Sequence, residues 1–396
     1  MEDTTAALKA AEELVEALKK TKSATSPASH LHLLKLADKA RAALETPYDL
    51  ISRHGNELSL SAALEVLVKT GAVEKVPTQP NTSIPASDLA RATNMDISAL
   101  QRLMRLAISN GIFVEPSPDV YAHNSTSIAY DALGPFFLMT IAHSGASSYL
   151  PDYFASHAPN DILDLKKSPY AYSKGHEGLT YYECLDLEPE FRKIWNAVLQ
   201  IMEKNMPITG MFPFESLKEQ VEREPERAFI VDIAGGRGQA LLKLQEEIPG
   251  VFGGKLILQD LPVVVDSLRD EELPGIEKMG YDIFTRQPVE NAHVYFMRRI
   301  LHDFYNPPCV EILKNTAAAM GPDSRLIVCD MLVPEKVEAD GPKELYWLDF
   351  SLMLIGGKEK TLREFEGIFD AAGLELVKVY PSGFGATVHL ETRLKR

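Results

Sequence analysis

An α/β protein, with a doubly wound and mostly parallel sheet behind a mainly helical N-terminal part, is the architecture the sequence predicts. Three observations carry it. From residue 229 to the C-terminus, short apolar runs of strand length alternate with amphipathic helical stretches, as a sheet covered by crossover helices requires. Ahead of residue 130 the apolar spacing is helical apart from one short hairpin. A chain of 396 residues also has room for two or three domains. The expected divisions are 1–130, helical with a winged-helix pattern; 131–225, a helical region contributing to a ligand pocket; and 226–396, the α/β part.

Residues 4–20 carry Leu8, Ala11, Val15 and Leu18 on one helical face, with Glu12, Glu13, Lys19 and Lys20 off it. A lone amphipathic helix cannot bury its stripe by itself, so it packs on another domain or another chain. The polar break SATSPASH at 23–30 precedes a second helix expected near Leu31. Ser87 and Asp88 are candidate caps of a short helix, Asn94 begins a turn, and Ile97, Leu100, Leu103, Met104 and Ala107 mark a second helix. Asn110 and Gly111 end it, and residues 113–121 make a hairpin, which completes the winged-helix pattern. Arg102 and Arg105 are a poor phosphate footprint on this chain, so a scaffolding role is favoured over DNA reading.

Residues 133–208 are helical and rich in aromatics, with FFLMTIAHSGASSYL, LTYYECL and FRKIWNAVLQIM as landmarks. Such stripes commonly form core. Met139, Trp195 and Met202 are nonetheless candidates for lining a cavity for a flat apolar ligand, because methionine adapts its shape and aromatic faces stack. His143 lies in the same stretch as a candidate core or pocket residue, and Met353 is a further pocket candidate.

The stretch 229–245, FIVDIAGGRGQALLKLQ, has the order strand, glycine turn, helix. Gly235, Gly236 and Gly238 in one turn allow a sharp bend and a close ligand approach, and the following helix aims free N–H groups at that loop. Leu241 stands where a dinucleotide fingerprint wants a third glycine or alanine, and no Lys-Ser or Lys-Thr follows for a triphosphate loop. The turn alone is compatible with a plain βα connection. The next strand, KLILQ at 255–259, is closed by Asp260, an acid that can accept hydrogen bonds from vicinal ribose hydroxyls or cap the Leu261 turn.

Further strands are expected at 281–284, 293–298, 325–331, 374–379 and 387–391. A helix opens at Pro307 and Pro308, and a capping box at Thr361 and Glu364 starts another that stops at Gly373. In such sheets ligands bind outside the carboxyl ends of the strands. His302 and Asp303, then Asp330, then Glu359 occupy three of those loops. An imidazole with carboxylates beside it forms a base with orienting partners. Taken singly, His302 and Asp303 are loop caps, Asp330 a turn residue and Glu359 a solvated partner of Lys358 or Lys360.

The 41 basic against 56 acidic residues give a net charge of −15, which disfavours a nucleic-acid partner. Three dispersed cysteines show no metal-ligand spacing and suit a reducing, cytoplasmic location. No apolar run approaches a membrane span, and the N-terminus lacks a basic-then-apolar signal.

The ordered segments DIAGGRG, LQDLPVVV, GYDIF, FMRRILHDF and GGKEKT resemble those of plant and fungal small-molecule O-methyltransferases of the caffeic acid O-methyltransferase type. The resemblance is specific from about residue 229 onward and extends in pattern to the region before it. It implies a class I methyltransferase (Rossmann-like) sheet with a reversed last strand, an N-terminal domain that forms a homodimer, S-adenosylmethionine as cofactor and a phenolic or polyketide-like acceptor. Carried over by position, Gly235 with Gly236 would lie beside the methionine part of the cofactor, Asp260 with Leu261 at the ribose, Asp282 and Ile283 near the adenine, and Arg298 at a basic position that is often lysine. His302 matches the general base, with Asp330 and Glu359 as the flanking acids. Asp330 is shorter than the glutamate often found there, Phe304 stands where tryptophan is usual, and the loop before Lys358 is shortened. The resemblance also reaches fungal members that keep the bound cofactor and catalyse a pericyclic reaction or dehydration with no methyl transfer.

Overall fold

The computed structural model describes residues 4–21, 26–205, 207–339, 341–383 and 385–395. The chain forms two compact units, one from Met1–Ser23, His32–Leu150 and Tyr182–Met202, the other from Ala24–Leu31, Pro151–Tyr181 and Glu203–Arg396. Residues of the 131–225 region are thus shared between the two. Among the described residues no helix is long and apolar enough to cross a membrane.

In the first unit the helices Pro47–Lys69, Ala86–Thr93 and Ile97–Ser109 pack around Leu64, Leu67, Leu89, Leu100, Met104 and Phe113. Asp96 starts the last of these by accepting the Ala99 N–H at 3.0 Å. Three short strands, β1 (Ile84–Pro85), β2 (Val114–Ser117) and β3 (Val120–Ala122), form an antiparallel sheet in the order β1-β3-β2. Ser87 and Asp88 do not cap the Ala86–Thr93 helix. Pro85 precedes it in extended conformation, and the Ala86 N–H is taken by the Asp119 carbonyl at 2.8 Å, so sheet pairing decides where the helix begins. The N-terminal helix spans Thr5–Lys20, and the second begins at Pro27 rather than near Leu31, because proline is tolerated in a first helical turn. The part of the polar break at 23–25 lies outside the described residues.

The second unit holds an eight-stranded sheet. Its strands are β4 (Ala228–Ile233), β5 (Lys255–Asp260), β6 (Ile276–Gly280), β7 (Val294–Arg298), β8 (Arg325–Val333), β9 (Lys360–Thr361), β10 (Leu374–Pro381) and β11 (Thr387–Leu394). The order is β10-β11-β8-β7-β4-β5-β6, with short β9 paired to β8. β11 runs antiparallel to both neighbours while β4 to β8 are parallel, so the reversed last strand is present. Every residue of β4 is buried, as a strand covered on both faces requires. Tyr295 and Met297 pack into the core on one face, Val294 and Phe296 into the core on the other.

The third strand is not at 281–284. It is Ile276–Gly280, whose Glu277 and Lys278 lie on an edge strand and mask the apolar signal. Residues 281–284 instead leave the sheet: Asp282 Oδ1 accepts the Phe284 N–H at 3.0 Å and its carbonyl accepts the Thr285 N–H at 2.9 Å, an Asx turn that ends the ladder. Successive strands add to opposite sides at β4 and β7, so the order reverses there. The crevice beyond the carboxyl ends of those two strands is where such a sheet takes its ligand.

Candidate active site

After β4 the chain turns under its own last carboxylate. A Cβ on Gly235 would stand 2.3 Å from Asp232 Oδ2 and 2.6 Å from Leu258 Cδ1, so only glycine fits. The Gly235 N–H donates to the Gln259 carbonyl at 3.0 Å, which ties the turn to β5. Asp260, at the end of β5, closes the loop: its Oδ2 accepts the Gly236 N–H and its Oδ1 the Leu261 N–H, each at 2.8 Å. Gly235, Gly236, Asp260 and Leu261 therefore meet in one cluster. Burial raises the Asp260 pKa above the usual carboxylate value, against those two hydrogen bonds, which favour the ionised form.

The Asp260 carbonyl accepts the Tyr281 N–H at 2.8 Å, which places exposed Asp282 and half-buried Ile283 just past the neighbouring strand. Arg298 ends β7 opposite Cys329 of β8. Its Nε is buried and has no hydrogen-bond partner among the described residues.

The second cluster begins one residue later. Arg299 has a left-handed backbone, φ 57°, rare for a residue with a side chain, and it bends the chain out of β7 into the one-turn 3₁₀ segment Leu301–Asp303. His302 sits on that turn with Nδ1 3.4 Å from Glu359 Oε1 and Nε2 3.4 Å from Asp303 Oδ1. The same Glu359 oxygen accepts a hydrogen bond from Arg299 Nη1 at 2.8 Å, and Asp330 Oδ1 lies 3.8 Å from that nitrogen. His302, Asp330 and Glu359, far apart in sequence, are thus brought together around Arg299.

Burial and the Arg299 cation oppose the protonated form of His302, but Asp303 and Glu359 outweigh them and its pKa is raised. Burial pushes Asp330 up to about 6, against the pull of His302 and Arg299. Burial works on Glu359 in the same direction, yet Arg299 and His302 overcome it and hold this carboxyl at about 2. Arg299 and His302 together separate the two buried acids, both engaging Glu359 more strongly than Asp330.

The backbone around His302 is held just as closely. Lys360 is fully buried, and its Nζ donates to the carbonyls of Leu301, Phe304 and Lys358 at 2.7, 2.8 and 2.9 Å. The Lys358 N–H donates to the His302 carbonyl at 2.8 Å, and a Cβ on Gly357 would come within 2.5 Å of that oxygen. Asp349 accepts the Glu359 N–H at 2.8 Å. Glu359 is consequently not a solvated partner of its neighbours: it is buried, Lys358 pairs with Glu364, and Lys360 binds carbonyls. Phe304 packs edge-on against Phe284, ring centroids 5.5 Å apart.

The pocket candidates divide differently. Met139, His143 and Trp195 belong to the first unit, where the His143 and Trp195 rings are 6.2 Å apart and burial lowers the His143 pKa to about 4. Met353 belongs to the second unit, half-buried on the helix Lys343–Ile355. The side chain of Met202 lies outside the described residues.

Residues 156–375 match the family described as an O-methyltransferase domain. The chain belongs to that O-methyltransferase family. It is 37% identical to the O-methyltransferase hmp5 of Hypomyces subiculosus over 92% of both chains. Among solved structures it is similar to OxaC in complex with sinefungin and meleagrin, with a TM-score of 0.86, 28% identity and 99% of both chains covered. It is also similar to a structure described as a pericyclic reaction enzyme, with a TM-score of 0.82, 25% identity and full coverage of both chains. This methyltransferase is S-adenosylmethionine-dependent. The residues present fit that cofactor: an acid closes the glycine loop, and Arg298 has a buried Nε with no acceptor among the described residues.

Four residues of the site were not singled out in the sequence. Asp232 was visible only as the residue after an apolar run, and Arg299 and Lys360 only as charges in RRI and KEK. The one signal for Arg299 is its place in a pair of arginines at a strand end, where successive side chains leave on opposite faces. Asp349, within a helix, carries none.

Proposed function

We propose that this chain methylates a hydroxyl of a phenolic or polyketide-like small molecule, with His302 as general base and Glu359 and Asp330 as its flanking acids. The observation that supports this most is the buried linkage of His302 Nδ1, Glu359 and Arg299 beyond the end of β7, at the point where the sheet order reverses. Gly235, Gly236, Asp260, Leu261, Asp282, Ile283 and Arg298 would hold the cofactor, which supplies a methyl group on a sulfonium centre. Glu359 facing Nδ1 directs the proton there, and Nε2, 3.4 Å from Asp303 Oδ1, would accept the one from the acceptor hydroxyl. Removing that proton matters because a phenol, with a pKa of about 10, is a weak nucleophile at neutral pH. Such general-base assistance is worth roughly 10²- to 10⁴-fold. Met353, in the same unit as His302, is assigned to the acceptor.

The likeness to a pericyclic reaction enzyme supports a second reading, in which the cofactor stays intact. The presence of His302 favours transfer. Incubation with a panel of phenolic polyketides, following S-adenosylhomocysteine against product, separates the two: a one-to-one rise is expected, and product with no S-adenosylhomocysteine would refute methyl transfer.

We also propose a homodimer built on the N-terminal helices. Leu8, Val15 and Leu18 are 61%, 46% and 51% exposed, and Tyr48, Ile51 and Leu58 of the helix Pro47–Lys69 are 70–78% exposed. These exposed apolar side chains support an interaction surface on those helices.

A further inference from the structure

We propose that Arg299 is a positioning residue: its guanidinium fixes Glu359 against His302 Nδ1 and, as a second cation in the buried cluster, keeps the imidazole from being locked in its protonated form. The inference rests on the reading of His302 as base. Its geometry is independent of that reading.

Three observations support it. Arg299 adopts φ 57°, a left-handed conformation that residues with a side chain rarely hold and that needs a reason in the surroundings. Its side chain, 12% exposed, donates to Glu359 Oε1, the very oxygen that faces His302 Nδ1. Asp330 lies farther from the same nitrogen and, among the described residues, accepts no hydrogen bond on either oxygen. The groups facing His302 are therefore Asp303 on its own turn, Glu359 from the loop before β9, Asp330 from β8 and Arg299 from the end of β7. Lys360 holds the carbonyls on either side, and Asp349 holds the Glu359 N–H. Three carboxylates surround one imidazole, and without a competing cation they would favour its charged form strongly. A protonated imidazole cannot take a proton. Arg299 engages Glu359 directly and repels that charge, so the dyad keeps its orientation without losing its base.

The sign follows. Removing the guanidinium should shift the His302 titration to higher pH and loosen the Glu359 carboxylate. The variants are Arg299→Gly, which removes the guanidinium while relieving the left-handed backbone, and Arg299→Lys, which retains a charge. The first readout is the imidazole titration of His302 by NMR in the cofactor-free protein, assigned by its loss in His302→Ala. Arg299→Gly should titrate at higher pH than the parent, with Arg299→Lys between them. The second readout is kcat/KM against pH, where the loss in Arg299→Gly should be about tenfold greater at pH 6.5 than at pH 9, one pH unit of protonation being tenfold. S-adenosylhomocysteine affinity should stay within about twofold, since neither Asp260 nor the glycine turn is touched. An Arg299→Gly titration equal to or below the parent's overturns the proposal, as does the same outcome in Arg299→Lys if the glycine variant does not fold. A normal shift combined with undiminished turnover in His302→Ala would instead overturn His302 as base and leave Arg299's effect standing.

Discussion

Asp260→Ala tests the cofactor assignment most directly, because the structure gives that carboxylate no other visible task than organising the glycine loop. Its two oxygens each hold one backbone N–H at 2.8 Å, from Gly236 and Leu261, so the group sits at the loop with lone pairs left for a ligand. A hydrogen bond to a charged group contributes about 1.5–3 kcal/mol. Losing two such bonds to ribose hydroxyls should cost roughly 3–6 kcal/mol, or about 10²- to 10⁴-fold in Kd for S-adenosylhomocysteine. Calorimetric titration of parent and variant measures this, and Asp260→Asn separates charge from shape. The amide keeps one acceptor oxygen but turns an NH₂ toward one of the two loop donors, so its affinity should fall between the other two. Because burial raises the Asp260 pKa, affinity in the parent should also decline on acidification before an ordinary aspartate would protonate, and the decline should be absent in Asp260→Ala. Equal affinities of parent and Asp260→Ala would refute the placement of the cofactor at this loop.

Other consequences can be measured on the same protein. His302→Ala should retain S-adenosylhomocysteine affinity while kcat falls roughly 10²- to 10⁴-fold, and its residual rate should climb as pH approaches the pKa of the phenol. A variant with parental kcat at pH 7 would exclude the base role. In the parent, kcat/KM should rise with pH through the His302 pKa, above the ordinary histidine value, since the neutral form is the active one. Deleting residues 1–22 should weaken self-association in sedimentation, and a full-length chain that sediments as a monomer at micromolar concentration would remove the argument. Thr361→Ala removes the Oγ1 that accepts the Glu364 N–H at 3.2 Å and should cost about 1 kcal/mol in urea unfolding. An unchanged midpoint would show that the capping box contributes nothing there.

The sequence by itself determined the α/β sheet, the places of most of its strands along the chain, the glycine turn with Asp260 and the polar groups at three strand ends. Those features are written in local chemistry: apolar runs of strand length, glycines in series and a capping box at Thr361, each readable within a window of a few residues. The edge strand Ile276–Gly280 escaped because Glu277 and Lys278 interrupt its apolar character, and parallel pairing with β5, a long-range contact, makes it a strand. The start of the Ala86–Thr93 helix was displaced for a similar reason, its first N–H being taken by the hairpin carbonyl of Asp119. The charge pattern of the site was decided by tertiary structure alone. Arg299, Lys358, Glu359 and Lys360 look alike as surface charges in sequence, and only burial distinguishes them. Folding brings Arg299 to Glu359 across 60 residues and leaves Lys358 paired at the rim with Glu364. It seals Lys360 among three carbonyls. Desolvation then turns the surroundings of Asp330 and Glu359 into a difference in protonation between those two acids, which no property of the isolated residues carries.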